Sequence, residues 1–273
     1  MNRKNVRVTC FGFILVLTLT GLKRKSSLPL KSCFLPVGNP RYPSASKSLT
    51  ATRALLFTYT TPKNIFGKYK LLNEQKNDCP LSREEALKLV VDYLEATDLV
   101  VSTTGKLSRE LFEYREAEGE GHECDFLTVG SMGHSSSIAL GIALANSERR
   151  VFCLDGDGAF IMHMGAIGNI GYLSPKNYFH ILFNNGSHES VGGQPTIGFQ
   201  LDIPAIAKAC GYRTVFSLTT KDEIKEILQQ TKIMEGPVLI ELKVKVASRD
   251  DLGRPTTTPL ENKFHFMEFL KNK

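Results

Sequence analysis

Acidic residues are absent from this chain until Glu74. Thirteen basic residues precede it, running from Arg3 to Lys70. Of the 34 Lys and Arg in the 273-residue sequence, the 21 that remain face all 28 Asp and Glu. The net charge of +6 is thus the sum of a basic leader and an acidic body. An acidic body does not attract a polyanion over its general surface, so no nucleic-acid partner is expected. CxxC spacing is also absent. Cys10, Cys33, Cys79, Cys124, Cys153 and Cys210 are scattered, which argues against a zinc site and against a disulfide framework. The body cysteines read as reduced and structural. A membrane-length apolar run is missing too. Val8 to Leu22 is apolar but short of the roughly 20 residues a span needs.

That run lies between Arg3, Lys4, Arg7 and Lys23-Arg24-Lys25, as the apolar centre of a signal peptide does. Residues 26–70 are rich in Ser, Thr, Pro and basic side chains, like an organelle transit peptide. The leader, residues 1–80, is expected to be irregular and to carry organelle or secretory-route targeting. Two alternatives stand beside this: translated upstream sequence joined to a cytoplasmic domain, or a short membrane anchor. No membrane association is expected beyond a cleaved leader.

From residue 81 to 273 the signals are those of one folded domain. Ser82-Arg83-Glu84-Glu85 is a capping box, and Ala86, Leu87, Val90, Val91 and Leu94 follow at helical spacing. Strands are expected at 98–102, 126–129, 150–155, 178–183, 213–217 and 237–244. Helices are expected at 107–116, 134–146, 161–170, 203–210 and 221–231. The strands are continuous apolar runs alternating with helices. This is the pattern of an α/β, doubly wound, mainly parallel sheet with helices on both faces. Ligands in such sheets bind at the carboxyl ends of the strands.

Asp155-Gly156-Asp157-Gly158 falls at such an end. A dinucleotide turn would need a third glycine, but position 161 is Ile. An acid between the glycines would repel a phosphate unless a cation lay between them. Magnesium takes about six oxygen ligands, commonly one or two from protein plus phosphate oxygens. Asp157 can be that ligand, Gly156 and Gly158 let the backbone approach, and the amides opening the next helix face a diphosphate. Alone, the motif is as well explained as a turn with a capping Asp. Asn184-Asn185 ends the next expected strand, with only residues 159–183 between. One helix and one strand fill that interval, so two oxygen-donor clusters lie side by side. Together they specify a divalent metal and a diphosphate-bearing cofactor.

Gly-Asp-Gly followed at this distance by Asn-Asn resembles the signature of thiamine-diphosphate-dependent enzymes. The segments STTGKLSRELFEYRE, DFLTVGSMGHSSSIALGIALA, DGDGAFIMHMGAIGNIG and NNGSHESVGGQPTIG resemble the phosphonopyruvate decarboxylase branch. Sulfopyruvate decarboxylase is its nearest relative, and the first Asn and His188 favour the phosphonopyruvate side. The likeness runs from about Leu81 to the C-terminus and covers the diphosphate-binding half only.

The resemblance implies a magnesium site of Asp157, the Asn185 side chain and the Ser187 carbonyl. It implies that Gly158 and Ala159 offer amides to the diphosphate, with Thr104 and Gly105 on its other side. The Gly130-Ser131-Met132-Gly133 turn would receive the aminopyrimidine on the Gly130 carbonyl and wedge Met132 under a bent cofactor. The implied reaction is non-oxidative decarboxylation of a 2-oxo acid, 3-phosphonopyruvate to phosphonoacetaldehyde and CO2. His188 is the candidate acid-base or substrate-binding group, with Glu189 beside it to set its protonation. Gln194 is a further substrate-contact candidate, and Arg109 and Arg115 are candidate partners for a phosphonate. His134 and His163 read as structural. The family's activating glutamate belongs to a pyrimidine-binding domain not expected in this chain. A partner pyrimidine-binding subunit or homo-oligomer is therefore implied. The alternatives are a sulfopyruvate decarboxylase-like subunit, a cofactor-binding but catalytically incomplete module, or a carboligase or oxidative decarboxylase using the same cofactor.

Overall fold

The structure, a computed structural model, describes residues 77–271 and three strands nearer the N-terminus. Those strands, β1 (Val6–Phe11), β2 (Ile14–Leu19) and β3 (Leu55–Phe57), pair antiparallel in the order β1-β2-β3. They belong to a unit, Met1–Leu72, distinct from Asn73–Lys273. The apolar run read as a signal-peptide centre falls largely on β1 and β2. Residues 26–70, apart from β3, lie outside the described residues. Among the described residues no helix is long and apolar enough to cross a membrane.

The larger unit is built on six parallel strands: β4 (Leu99–Ser102), β5 (Asp125–Leu127), β6 (Val151–Gly156), β7 (Tyr178–Asn184), β10 (Thr214–Leu218) and β11 (Val238–Lys243). Their order is β10-β11-β7-β6-β4-β5, with every pairing parallel. Alternate residues feed two apolar layers, one on each face. Val100, Phe152, Leu154 and Ile181 pack with α1 (Arg83–Val91), α2 (Lys106–Glu118) and α7 (Lys221–Gln230). Val101, Val151, Cys153 and Leu182 pack with α3 (Ser135–Ala145), α5 (Ala166–Leu173), α6 (Ile203–Ala209) and α8 (Pro259–Lys271). Both faces are covered, which is why the strands read as unbroken apolar runs.

The chain leaves β4 toward one edge to form β5, returns to β6 on the other side of β4, and continues to β7. The crevice between the ends of β4 and β6 is therefore a point where the winding reverses, the place such sheets bind ligands. Thr103-Thr104-Gly105 follows β4 and Gly156-Asp157-Gly158 follows β6.

The expected strands are all present, with shifted ends. The expected helix at 161–170 is instead two, α4 (Asp157–Met162) and α5, interrupted around His163. Ser82 and Glu85 form the capping box reciprocally, as expected. Within the larger unit, α8, a short 3-10 turn at Glu189–Val191 and the two-residue strands β8 (Ser187–His188) and β9 (Gln194–Pro195), which pair antiparallel, go beyond the expected elements.

Candidate functional site

Strand β6 delivers Asp157 directly into the first turn of α4, where its carboxylate is buried. Burial pushes that carboxyl above the usual aspartate range; the Thr196 hydroxyl, the Asn185 and Gly158 amides and His188 pull it partly back. The Thr196 hydroxyl donates to Oδ2 of Asp157. Gly198 lies against the same place, since a Cβ there would be 2.8 Å from that oxygen. Thr196 and Gly198 were not identified from sequence. Their signal, had it been read, is the Thr-x-Gly following the Gly-Gly-Gln-Pro turn.

The two asparagines divide their work. The Asn184 amide donates to the Gly198 carbonyl at 3.0 Å and to Glu241 at 2.7 Å, and its oxygen accepts from the Gly186 amide at 3.2 Å. It is a fully used structural residue. Asn185 accepts from the Ser187 amide at 3.0 Å and donates to Glu189 at 3.0 Å. Its side-chain oxygen keeps a lone pair, and the residue lines the cleft that also contains Asp157 and Ser187.

Above Gly158 sits the half-buried ring of His188. A Cβ on Gly158 would come within 2.5 Å of that ring and 3.4 Å of the Met132 methyl. Only glycine lets both side chains meet there. Met132 is carried by a turn of left-handed residues, Gly130 (φ 74°), Ser131 (φ 46°) and Gly133 (φ 88°). Ser131 holds a conformation that costs a non-glycine residue about 1–2 kcal/mol. The Gly130 amide donates to Thr104 at 3.1 Å, tying the loop after β5 to the loop after β4. A Cβ on Gly133 would lie 2.7 Å from the Ala159 carbonyl, so the turn also abuts α4.

Thr104, Met132, Gly156, Asp157, Gly158, Ala159, Asn185, Ser187, His188 and Glu189 all line one cleft. Gly105, Gly130 and Ser131 stand in the adjoining loops. Gln194 lies in β9, opposite His188. Glu189 accepts from Arg83 at 2.5 Å and from Asn185 at 3.0 Å, so it fixes the loop beside His188. Arg83 also grips Glu110 through two bonds of 2.8 and 2.6 Å. The expected availability of Arg115 fails, because it is buried against Asp125 with two bonds of 3.1 Å. Arg109 does not line the cleft, whereas Lys106 does and makes no ion pair among the described residues. The rings of His134 and His163 pack against each other, with centroids 4.1 Å apart and planes tilted by 54°.

Two observations bear on whether the cleft fits a metal and an anionic group. Asp157 is a buried acid that no Lys or Arg neutralises among the described residues, and a divalent cation would relieve that cost. The Thr103 hydroxyl is buried at the cleft with no partner, a donor free for a phosphate oxygen.

Residues 103–242 match the thiamine pyrophosphate enzyme family, in its C-terminal TPP binding domain. The chain is 38% identical over 189 residues to the phosphonopyruvate decarboxylase of Streptomyces viridochromogenes, covering 69% of this chain and 46% of that one. It is 31% identical over 190 residues to the sulfopyruvate decarboxylase subunit beta of Methanocaldococcus jannaschii, covering 69% of this chain and 97% of that one. Thus it spans about half the length of the phosphonopyruvate decarboxylases it matches. Among solved structures, benzoylformate decarboxylase from Polynucleobacter necessarius shares the fold, with a TM-score of 0.53 and 20% identity over 64% of this chain and 35% of that one.

Proposed function

Because the chain belongs to the thiamine pyrophosphate enzymes through their C-terminal TPP-binding domain, we propose that it is the diphosphate-binding half of a 2-oxo acid decarboxylase. The proposed reaction is 3-phosphonopyruvate to phosphonoacetaldehyde and CO2. The observation that carries this reading is Asp157, a buried acid without a Lys or Arg partner among the described residues, lining one cleft with Asn185 and Ser187.

In this reading Asp157, the Asn185 oxygen and the Ser187 carbonyl hold magnesium. The amides of Gly158 and Ala159 and the hydroxyls of Thr103 and Thr104 receive the diphosphate, with Gly105 and Gly156 allowing close approach. Met132, on its Gly130–Gly133 turn, supports the cofactor, and the Gly130 carbonyl receives its amino group. When bound, thiamine diphosphate supplies an electron sink for the carbanion left by loss of CO2. His188 stands where it can hold or deliver a proton near the substrate. Glu189, held by Arg83, keeps the Asn185 amide turned so that its oxygen faces inward. Lys106 is the cation available to an anionic substrate group.

The activating carboxylate that protonates the aminopyrimidine is assigned to a pyrimidine-binding domain on a partner chain. The test is decarboxylation of 3-phosphonopyruvate by the purified chain with thiamine diphosphate and magnesium, alone and with a pyrimidine-binding partner. Turnover only in the second case is expected; robust turnover by the chain alone contradicts it. One observation favours a second reading, a sulfopyruvate decarboxylase-like subunit: this chain covers 97% of the M. jannaschii beta subunit. Sulfopyruvate in the same assay separates the two.

A further inference from the structure

Beneath the Gly156–Gly158 turn lies a polar chain with no assigned role. The Tyr212 hydroxyl is 3.0 Å from Nδ1 of His180, and Nε2 of His180 is 3.3 Å from Oδ2 of Asp155. The other Asp155 oxygen accepts the Gly156 amide at 3.0 Å. All three side chains are buried in the apolar layer of Val151, Phe160, Ile170 and Leu182. A carboxylate, an imidazole and a phenol in such a place cost free energy unless each is hydrogen-bonded. Burial pushes the Tyr212 phenol well above its usual range, so it keeps its proton. A carboxylate only accepts, so Nε2 of His180 carries the hydrogen that faces Asp155, and Nδ1 of the neutral ring accepts from the Tyr212 hydroxyl.

The Cys153 thiol stands close to Asp155 and His180. Burial pushes it far above the thiol range, and both His180 nitrogens are already engaged. The contacts among Tyr212, His180 and Asp155 are those of a hydrogen-bond chain.

We propose that His180, backed by Tyr212, is a positioning residue for the metal–diphosphate loop. It fixes Asp155, Asp155 fixes the Gly156 amide, and the Gly156–Gly158 turn then aims Asp157 and the following amides into the cleft. The inference rests on the metal–diphosphate reading of that cleft.

The test compares His180→Phe, His180→Gln and Tyr178→Phe in the full chain. Tyr178 is buried in the same layer but donates to the Ser136 carbonyl, not to Asp155. Two readouts are taken: the Kd for thiamine diphosphate at saturating magnesium, and amide exchange of residues 156–159 without cofactor. His180→Phe is expected to weaken binding about tenfold or more and to speed exchange at Gly156, the scale of outer-shell support to a metal site. Glutamine places an N–H toward Asp155 and is expected to restore binding to within about threefold. Tyr178→Phe is expected to lower thermal stability with binding unchanged. If His180→Phe does not fold, Tyr212→Phe carries the same comparison with a smaller loss. Parental affinity and exchange in the folded His180 or Tyr212 variant overturn the inference alone. So does an equal loss of binding in Tyr178→Phe. Failure of the parent chain to bind overturns the cleft reading and the inference together.

Discussion

Nη1 of Arg83 and Oε2 of Glu189 stand 2.5 Å apart, and the same carboxylate oxygen accepts a 3.0 Å bond from the Asn185 side chain. A residue in the first turn of α1 thus orients a proposed metal ligand at the end of β7. Arg83 is shared with Glu110, so the two acids and the arginine form one buried cluster.

Arg83→Met strands Glu110 and Glu189 without a counter-ion. Removing one partner of a buried ion pair costs about 3–5 kcal/mol. A loss of unfolding free energy of roughly that size, read by denaturant titration, is expected, with weaker magnesium binding in whatever remains folded. A change within about 0.5 kcal/mol, the range of ordinary surface substitutions, would show that the cluster does not hold the loop.

Asp157→Asn removes a buried charge that no Lys or Arg neutralises among the described residues. The cofactor-free chain is expected to gain about 0.5–2 kcal/mol, as substitutions that relieve a strained functional site commonly do. Magnesium-dependent cofactor binding is expected to vanish. Thermal melts with and without magnesium and thiamine diphosphate read both effects.

Gly158→Ala places a methyl group 2.5 Å from the His188 ring. The ring is half-buried and can turn aside, and alanine in a helix gains about 0.5–1 kcal/mol over glycine. Stability should therefore change little while cofactor affinity falls about tenfold, or about 1.4 kcal/mol, from the lost approach. Calorimetry and melting on one sample distinguish the two.

Lys106→Met removes a cleft cation that makes no ion pair among the described residues. If Lys106 meets the substrate, KM for 3-phosphonopyruvate rises at least about tenfold, the scale of a lost charge-assisted bond, while cofactor affinity holds. Unchanged KM with weakened cofactor binding would reassign Lys106 to the diphosphate.

Sequence periodicity made the sheet legible because both faces are buried and its strands stay apolar throughout. It also made the adjacency of Asp157 and Asn185 legible, since one helix and one strand between two motifs force neighbouring parallel strand ends. The partners of those ligands were not legible. Arg83 sits inside a capping box, where a charged residue is ordinary, and its partners lie 27 and 106 residues away. Thr196 reaches Asp157 across 39 residues through a hairpin too short to show periodicity. The division of labour between Asn184 and Asn185 depends on Glu241 from β11, which no local pattern reveals. Helix α8 was missed because charged and polar residues interrupt its apolar stripe.

The most direct test of the account is calorimetric titration of the purified chain with thiamine diphosphate, with and without magnesium. Saturable binding at one site per chain, lost when magnesium is removed and lost in Asp157→Asn, is the predicted result. Binding indifferent to magnesium, or no binding while the chain remains folded, would contradict it.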